Sequence, residues 1–148
     1  METQQDFKEL LELLNAHAVE YVIVGAYALA FHGAPRYTGD IDIYIRPTAE
    51  NAERVMNALR DFGFGSLELS EKDFNQPDRV VQLGYPPVRI DLMTSISGVS
   101  WEEVSAHLAN GEYGEVPVKY IGREELLRNK RTLCRKKDLA DLEALGEL

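Results

Sequence analysis

Apolar positions along this chain follow two rhythms, and each switch between them marks out an element. Phe7, Leu10, Leu11 and Leu14 recur at helical spacing behind a capping pair, Thr3 and Asp6, which predicts an amphipathic helix over 3–16. Tyr21 to Val24 is a short apolar strand ending at Gly25, and Ala26 to Phe31 is a helical segment stopped by His32-Gly33. From Gly39 the alternation is strict. Asp40, Asp42, Tyr44 and Arg46 share one face of an extended strand, and Ile41, Ile43 and Ile45 share the other. Pro47-Thr48 ends this strand and caps a long helix with the stripe Ala52, Val55, Met56, Leu59 and Phe62, stopped by Gly63.

The second half continues in the same way. Leu67 and Leu69 alternate with Glu68 and Ser70, Glu71 to Arg79 reads as a polar loop, Val80 to Leu83 as a short strand, and Pro86-Pro87 as a turn. Val88 to Met93 alternates again, with Arg89, Asp91 and Met93 opposite Val88, Ile90 and Leu92. Ser100-Trp101-Glu102-Glu103 is a capping box, stapled by Val99 and Val104; its helix runs to about Leu108 and is closed by Asn110-Gly111. Val116 to Ile121 is the last strand, followed by helices over 123–134 and 137–145. Strands interleaved with helices predict an α/β (α+β) architecture. A length of 148 residues without repeat or low-complexity segment predicts a single domain, 1–148.

Two acids at the centre of an isoleucine strand ask for a reason, because acids are depleted in strands and resist burial. Same-face neighbours two apart lie roughly 6.5–7 Å apart at Cα, close enough for both carboxylates to hold one hard cation or a bridged pair. Without a cation they repel and raise each other's pKa. Asp91 is the natural third acid. Asp40, Asp42 and Asp91 together suit two divalent ions, Mg²⁺ or Mn²⁺, since all-oxygen sites take hard cations and phosphate completes the shell. The plain alternative for Asp40 and Asp42 is a solvent-facing edge strand. Gly25, at a strand-to-helix turn, admits close approach to the backbone beside a helix start that attracts anions. Lys130 interrupts the apolar stripe of Leu126, Leu127, Leu133 and Cys134, so its ammonium either snorkels to solvent or meets an acid or phosphate.

Residues 25–42 spell out G-A-x-A-x-x-x-H-G-x-x-R-x-T-x-D-I-D. This pattern resembles the nucleotidyltransferase superfamily related to DNA polymerase beta, and within it the minimal and AbiEii-type prokaryotic branch. In that superfamily a Gly-Gly or Gly-Ser turn precedes an Asp-x-Asp strand, and a third carboxylate follows on a later strand. Ala26 stands where the second Gly or a Ser is usual, which leaves hydrogen bonding there to backbone N–H groups. The segment Arg135 to Asp141 resembles the R-x-K-D-x-x-D signature that closes many members of the branch.

The resemblance implies a nucleotidyltransferase fold, a mixed central sheet flanked by helices. It also implies a metal-dependent transfer of a nucleoside monophosphate from an NTP such as ATP to an acceptor hydroxyl or phosphate, with release of pyrophosphate. By that likeness Asp40, Asp42 and Asp91 are the catalytic metal ligands, with Asp91 the proton acceptor, and Lys130 reaches the triphosphate or the acids. Gly25, Ala26, Arg36, Thr38, Lys137 and Asp138 join Lys130 around the nucleotide. Acceptors among such relatives are RNA, including tRNA, a protein or a small molecule, and some relatives act in toxin–antitoxin pairs, so a cognate toxin or antitoxin is one partner to expect. The alternative is a catalytically silent member that binds nucleotide, RNA or a partner protein without turnover.

Composition narrows the picture further. A net charge of −9 argues against a broad nucleic-acid coating surface, which needs phosphate neutralisation. Seven of the 16 basic residues nevertheless fall between Arg123 and Lys137, as a phosphate-binding wall or as solvated helix ends. The lone Cys134 excludes an internal disulfide and a Cys-rich zinc site. The polar, acidic start and the lack of any span-length apolar run point to a cytoplasmic protein away from membranes. Four residues carry alternative readings: Arg36 as a brace of its turn, Asp138 as a helix cap, and Tyr44 and Arg46 as borders of the substrate. His32 reads as a helix end rather than a metal ligand.

Overall fold

Ile41, Ile43 and Ile45 are fully buried, and the sheet is assembled around the strand that carries them. The computed structural model describes residues 4–36, 38–64, 68–85 and 88–147. In chain order the elements are α1 (Gln5–Ala16), β1 (Tyr21–Val24), α2 (Gly25–Phe31), β2 (Asp40–Ile45), α3 (Ala49–Leu59), β3 (Val80–Tyr85), β4 (Val88–Met93), α4 (Trp101–Ala106), β5 (Ala109–Tyr113), β6 (Val116–Tyr120), α5 (Arg123–Leu133) and α6 (Lys136–Ala144).

The six strands form one mixed sheet in the order β3-β4-β2-β1-β6-β5. β2 lies antiparallel to β1 and parallel to β4, while β1 runs parallel to β6. Phe7, Leu10, Leu11 and Leu14 of α1 and Ala52, Val55, Ala58 and Leu59 of α3 join the three isoleucines in one core cluster. Each large apolar side chain removed from water there contributes about 1.5–3 kcal/mol. The mixed sheet flanked by helices, and the α/β class, are as the sequence implies.

Thr48 caps α3, its side chain accepting from the Asn51 N–H, and the helix widens into a π-type turn over Arg60–Phe64 where Gly63 adopts φ 104°. Three expectations need correction or fall elsewhere. α1 starts at Gln5 with no side-chain cap; instead the Gln4 N–H donates to the Tyr113 hydroxyl at 2.6 Å, and Thr3 lies outside the described residues. Asn110-Gly111 does not close a helix. It sits inside β5, which pairs antiparallel with β6, and α4 has already ended at Ala106. Leu67 and the Pro86-Pro87 turn lie outside the described residues. No helix among the described residues is long and apolar enough to cross a membrane.

Candidate active site

The register of β2 against β4 builds the acid face. Asp40 stands opposite Arg89 and Asp42 opposite Asp91, so alternation puts all four side chains on the same side of the sheet. Val24, the last residue of β1, pairs with Asp42 on its other flank, and the chain turns there into α2 through Gly25 at φ 68°. Only glycine takes that conformation without strain, and here it also leaves room for the Asp42 carboxylate beside the backbone.

A cavity of about 520 Å³ opens over this face. Gly25, Ala26, Asp42 and Asp91 line its floor, Arg36, Lys130, Arg135 and Lys137 bring positive charge to its wall, and Asp78, Ser95 and Ser97 stand on the β4 side. Burial pushes the Asp42 carboxyl up to about 6, helped by Asp91, which lies within hydrogen-bonding reach, and by Asp40, and opposed by Lys137. Two carboxylates held this close, one pressed towards its protonated form, are a donor set suited to a hard cation. Among the described residues no group of three or more acids, histidines or cysteines comes together tightly enough to hold an ion alone. The Arg89 guanidinium holds both Asp40 (3.3 Å) and Asp91 (2.8 Å), and Asp40 does not line the cavity.

The basic wall is anchored from behind. Lys130, only 4% exposed, points its Nζ at Asp141 (2.8 Å) and Asp138 (3.4 Å) rather than snorkelling to solvent. Arg36 pairs with the same Asp141 at 3.1 Å. Asp138 is fully buried and does not face the cavity. It caps α6 by accepting from the Arg135 N–H at 3.0 Å and also accepts from the Arg135 side chain. Burial works against its charge, but the hydrogen bonds from Arg135 and the nearby Lys130 ammonium hold its carboxyl below the usual range. Of the remaining basic run, Arg128 pairs with Glu103 and Arg131 with Glu147, so these serve the surface and not the cavity.

Several expected site residues sit elsewhere. Thr38 folds over the start of β2, its Oγ1 accepting from the Asp40 N–H at 3.1 Å, and does not line the cavity. Tyr44 is buried edge-on against Trp101, and Arg46 forks onto Glu20, so neither borders the cleft. His32 ends α2 and donates from its ring to the Ile121 carbonyl, a brace and not a ligand. Sequence reasoning gave no role to Arg89, Asn129 or Asp141. Arg89 shares the face of Asp91, and that placement was its only signal. Asn129, on α5, lines the cavity and donates to the Ser97 carbonyl at 2.9 Å, tying the loop after β4 to the basic wall.

A profile of the family described as "Nucleotidyl transferase of unknown function (DUF2204)" matches residues 3–148. The chain belongs to this family. No curated protein sequence matches this nucleotidyltransferase-family chain. Among solved structures, a candidate nucleotidyltransferase (TM1012) from Thermotoga maritima superposes with a TM-score of 0.61 at 17% identity, covering 96% of this chain and 91% of that one. The lincosamide antibiotic adenylyltransferase LnuA, solved with lincomycin bound, gives 0.55 at 14% identity, covering 97% and 96%. The antibiotic-resistance factor ANT(2'')-Ia gives 0.58 at 12% identity, covering 95% and 80%. At these identities the structures share the fold with this protein.

Proposed function

We propose that the cavity transfers a nucleoside monophosphate from an NTP to an acceptor hydroxyl, releasing pyrophosphate, and that it depends on Mg²⁺ or Mn²⁺ held at the acid face. The observation that carries this reading is the convergence of Asp42 and Asp91 beside the Gly25 turn, on the floor of a cavity walled by Arg36, Lys130, Arg135 and Lys137. Family membership supports the reaction class.

Asp42, with Asp91 and Asp40 once Arg89 leaves them, would ligate the metal alongside phosphate oxygens and water. When bound, such an ion neutralises charge on the phosphates and lowers the pKa of the attacking hydroxyl. Lys137 of α6 and Arg135 just before that helix line the cavity and would bind the triphosphate, with Arg36 and Lys130 holding the acid side of the wall in position. Gly25 and Ala26 line the floor, and the Asp42 carboxylate fills the space a Gly25 side chain would take, so a phosphate arriving there would meet backbone and carboxylate together. Asp91, once released by Arg89, would take the proton as the acceptor oxygen bonds to the α-phosphorus and the bond to the departing pyrophosphate breaks. Much of the rate would come from holding these groups in place.

LnuA is a lincosamide antibiotic adenylyltransferase solved with lincomycin bound, and ANT(2'')-Ia is an antibiotic-resistance factor, which supports including small molecules beside RNA and protein among candidate acceptors. A toxin–antitoxin role rests on the sequence resemblance alone. Incubation with each α-labelled NTP, Mg²⁺ and separate acceptor pools of RNA, protein and small hydroxylated compounds tests the proposal. Label in any pool with matching pyrophosphate supports it. Nucleotide binding without transfer to any pool favours the silent reading, which the Arg89 contacts on two of the three acids also favour.

A further inference from the structure

The acid face is not three carboxylates waiting for cations. It already contains one. Parallel pairing of β2 with β4 sets Arg89 beside Asp40 and Asp91 beside Asp42, a square of three acids and one guanidinium. Arg89 forks onto Asp91 through Nε to Oδ1 at 2.8 Å and Nη2 to Oδ2 at 3.1 Å, and the same Nη2 reaches Asp40 Oδ2 at 3.3 Å. A two-pronged guanidinium–carboxylate pair is among the stronger polar contacts a protein makes, and its geometry leaves little room for an ion on the same oxygens. Asp42 is the acid that Arg89 does not touch among the contacts described, and it is the one that faces the cavity together with Asp91.

We infer that Arg89 is a built-in counter-cation occupying the position of a second divalent ion, so that the folded site accepts one ion at Asp42, the acid it leaves free, and admits another on Asp91 only when Arg89 swings off that carboxylate. The inference rests on the divalent-ion reading above and adds the residue that sets the number of ions. Two further observations fit it. Three carboxylates and one guanidinium leave the square two charges negative, the amount one divalent ion neutralises. On the outer flank of β4, the residue in register with Arg89 is Gly84 of β3, which is exposed and brings no side chain against the arginine if it swings off the acids. Arg89 is therefore a positioning residue for the ion site.

The test counts ions without relying on turnover. The full chain is titrated with Mn²⁺ in the presence of a non-hydrolysable ATP analogue, free Mn²⁺ being read by its electron paramagnetic resonance signal, for wild type, Arg89→Gln and Arg89→Lys, with thermal unfolding as the check on folding. Wild type should hold one Mn²⁺ tightly. Arg89→Gln should take a second with an affinity raised roughly tenfold or more, the scale on which groups around a metal's ligands act. Arg89→Lys, which keeps the charge, should stay near one. Two tight ions in wild type would overturn the inference, as would identical stoichiometry and affinity in wild type and Arg89→Gln. If Arg89→Gln does not fold, the wild-type and Arg89→Lys counts decide: two ions in either overturns it. No Mn²⁺ in any of the three proteins removes the divalent-ion reading itself, and the inference with it.

Discussion

Gly25 lies so close to Asp42 that a Cβ built on it would come within 2.1 Å of the Asp42 Oδ2. Backbone and carboxylate are therefore packed as one unit, at a φ of 68° that side-chain-bearing residues rarely adopt. Gly25→Ala is expected to destabilise the fold by about 1–3 kcal/mol through the strained backbone and to push Asp42 out of the cavity floor. A lowered urea midpoint together with weakened Mn²⁺ binding would bear this out, and unchanged Mn²⁺ affinity would show that Asp42 has another place to go.

The second prediction concerns protons at the acid pair. Asp42 sits at about 6, raised from 3.8, so the folded protein holds its proton more tightly than the unfolded chain does. That contribution to stability is fully present below the unfolded value and is lost as pH rises through about 6. Without metal, stability should fall between pH 4 and 6 by an amount of order 3 kcal/mol, other groups being equal. A divalent ion competes for the same oxygens, so its affinity should rise with pH through this window and level off above it. In Asp42→Asn both slopes should flatten, and nucleotide should no longer give a Mg²⁺-dependent thermal shift. A thermal shift that persists in Asp42→Asn would remove this carboxylate from the ion site.

Lys130 yields a prediction that its sequence context alone would get wrong. An ammonium that merely snorkels from an apolar stripe can be replaced by Met with little harm or some gain. Lys130 instead sits between Asp138 and Asp141, both buried, and removing one partner of a buried pair typically costs about 3–5 kcal/mol. Arg36 and Arg135 still contact the two acids, so Lys130→Met should fall toward the lower end of that range. Chemical denaturation of Lys130→Met beside Lys130→Met/Asp141→Asn checks it. The double variant should be less impaired than the single effects would sum to, whereas simple additivity would show that the three groups are not coupled.

Asn51 supplies a contrast away from the cleft. It is fully buried, accepts from the Glu20 N–H at 2.7 Å, and donates to the Glu20 and Arg46 carbonyls, both at 3.0 Å, clamping the start of β1 to the end of β2. Asn51→Leu should cost about 1–3 kcal/mol for each backbone group left unpaired while leaving nucleotide affinity of the folded fraction unchanged. A change in that affinity would mean that strain at this end of β2 reaches the acids at the other.

What could be read from the sequence was local in origin. The Asp-x-Asp alternation, the Ser100 capping box and the Thr48 cap depend on residues a few positions apart, and each appears where the pattern puts it. β5 was not legible because Ala-Asn-Gly-Glu-Tyr carries turn chemistry. Its Gly111 is there for packing: a Cβ would meet the Phe31 and Tyr120 rings at 2.7 and 2.8 Å, a contact that only the assembled sheet reveals. Arg89 was missed for a similar reason. Its alternation with Asp91 was visible, but its contact with Asp40 depends on the β2–β4 register, which no short window contains. Asp138 could be read as a cap from its position, while its link to Lys130 needed the packing of α5 on α6.

The adjacency of β2 and β4 has a consequence for the life of the molecule in a cell. Positions 42 and 91 become neighbours only when the second of these strands inserts beside the first. A chain still emerging from synthesis has only the first of these two carboxylates in its strand. Because pairings between distant segments form late, the acid face is completed only with the sheet itself.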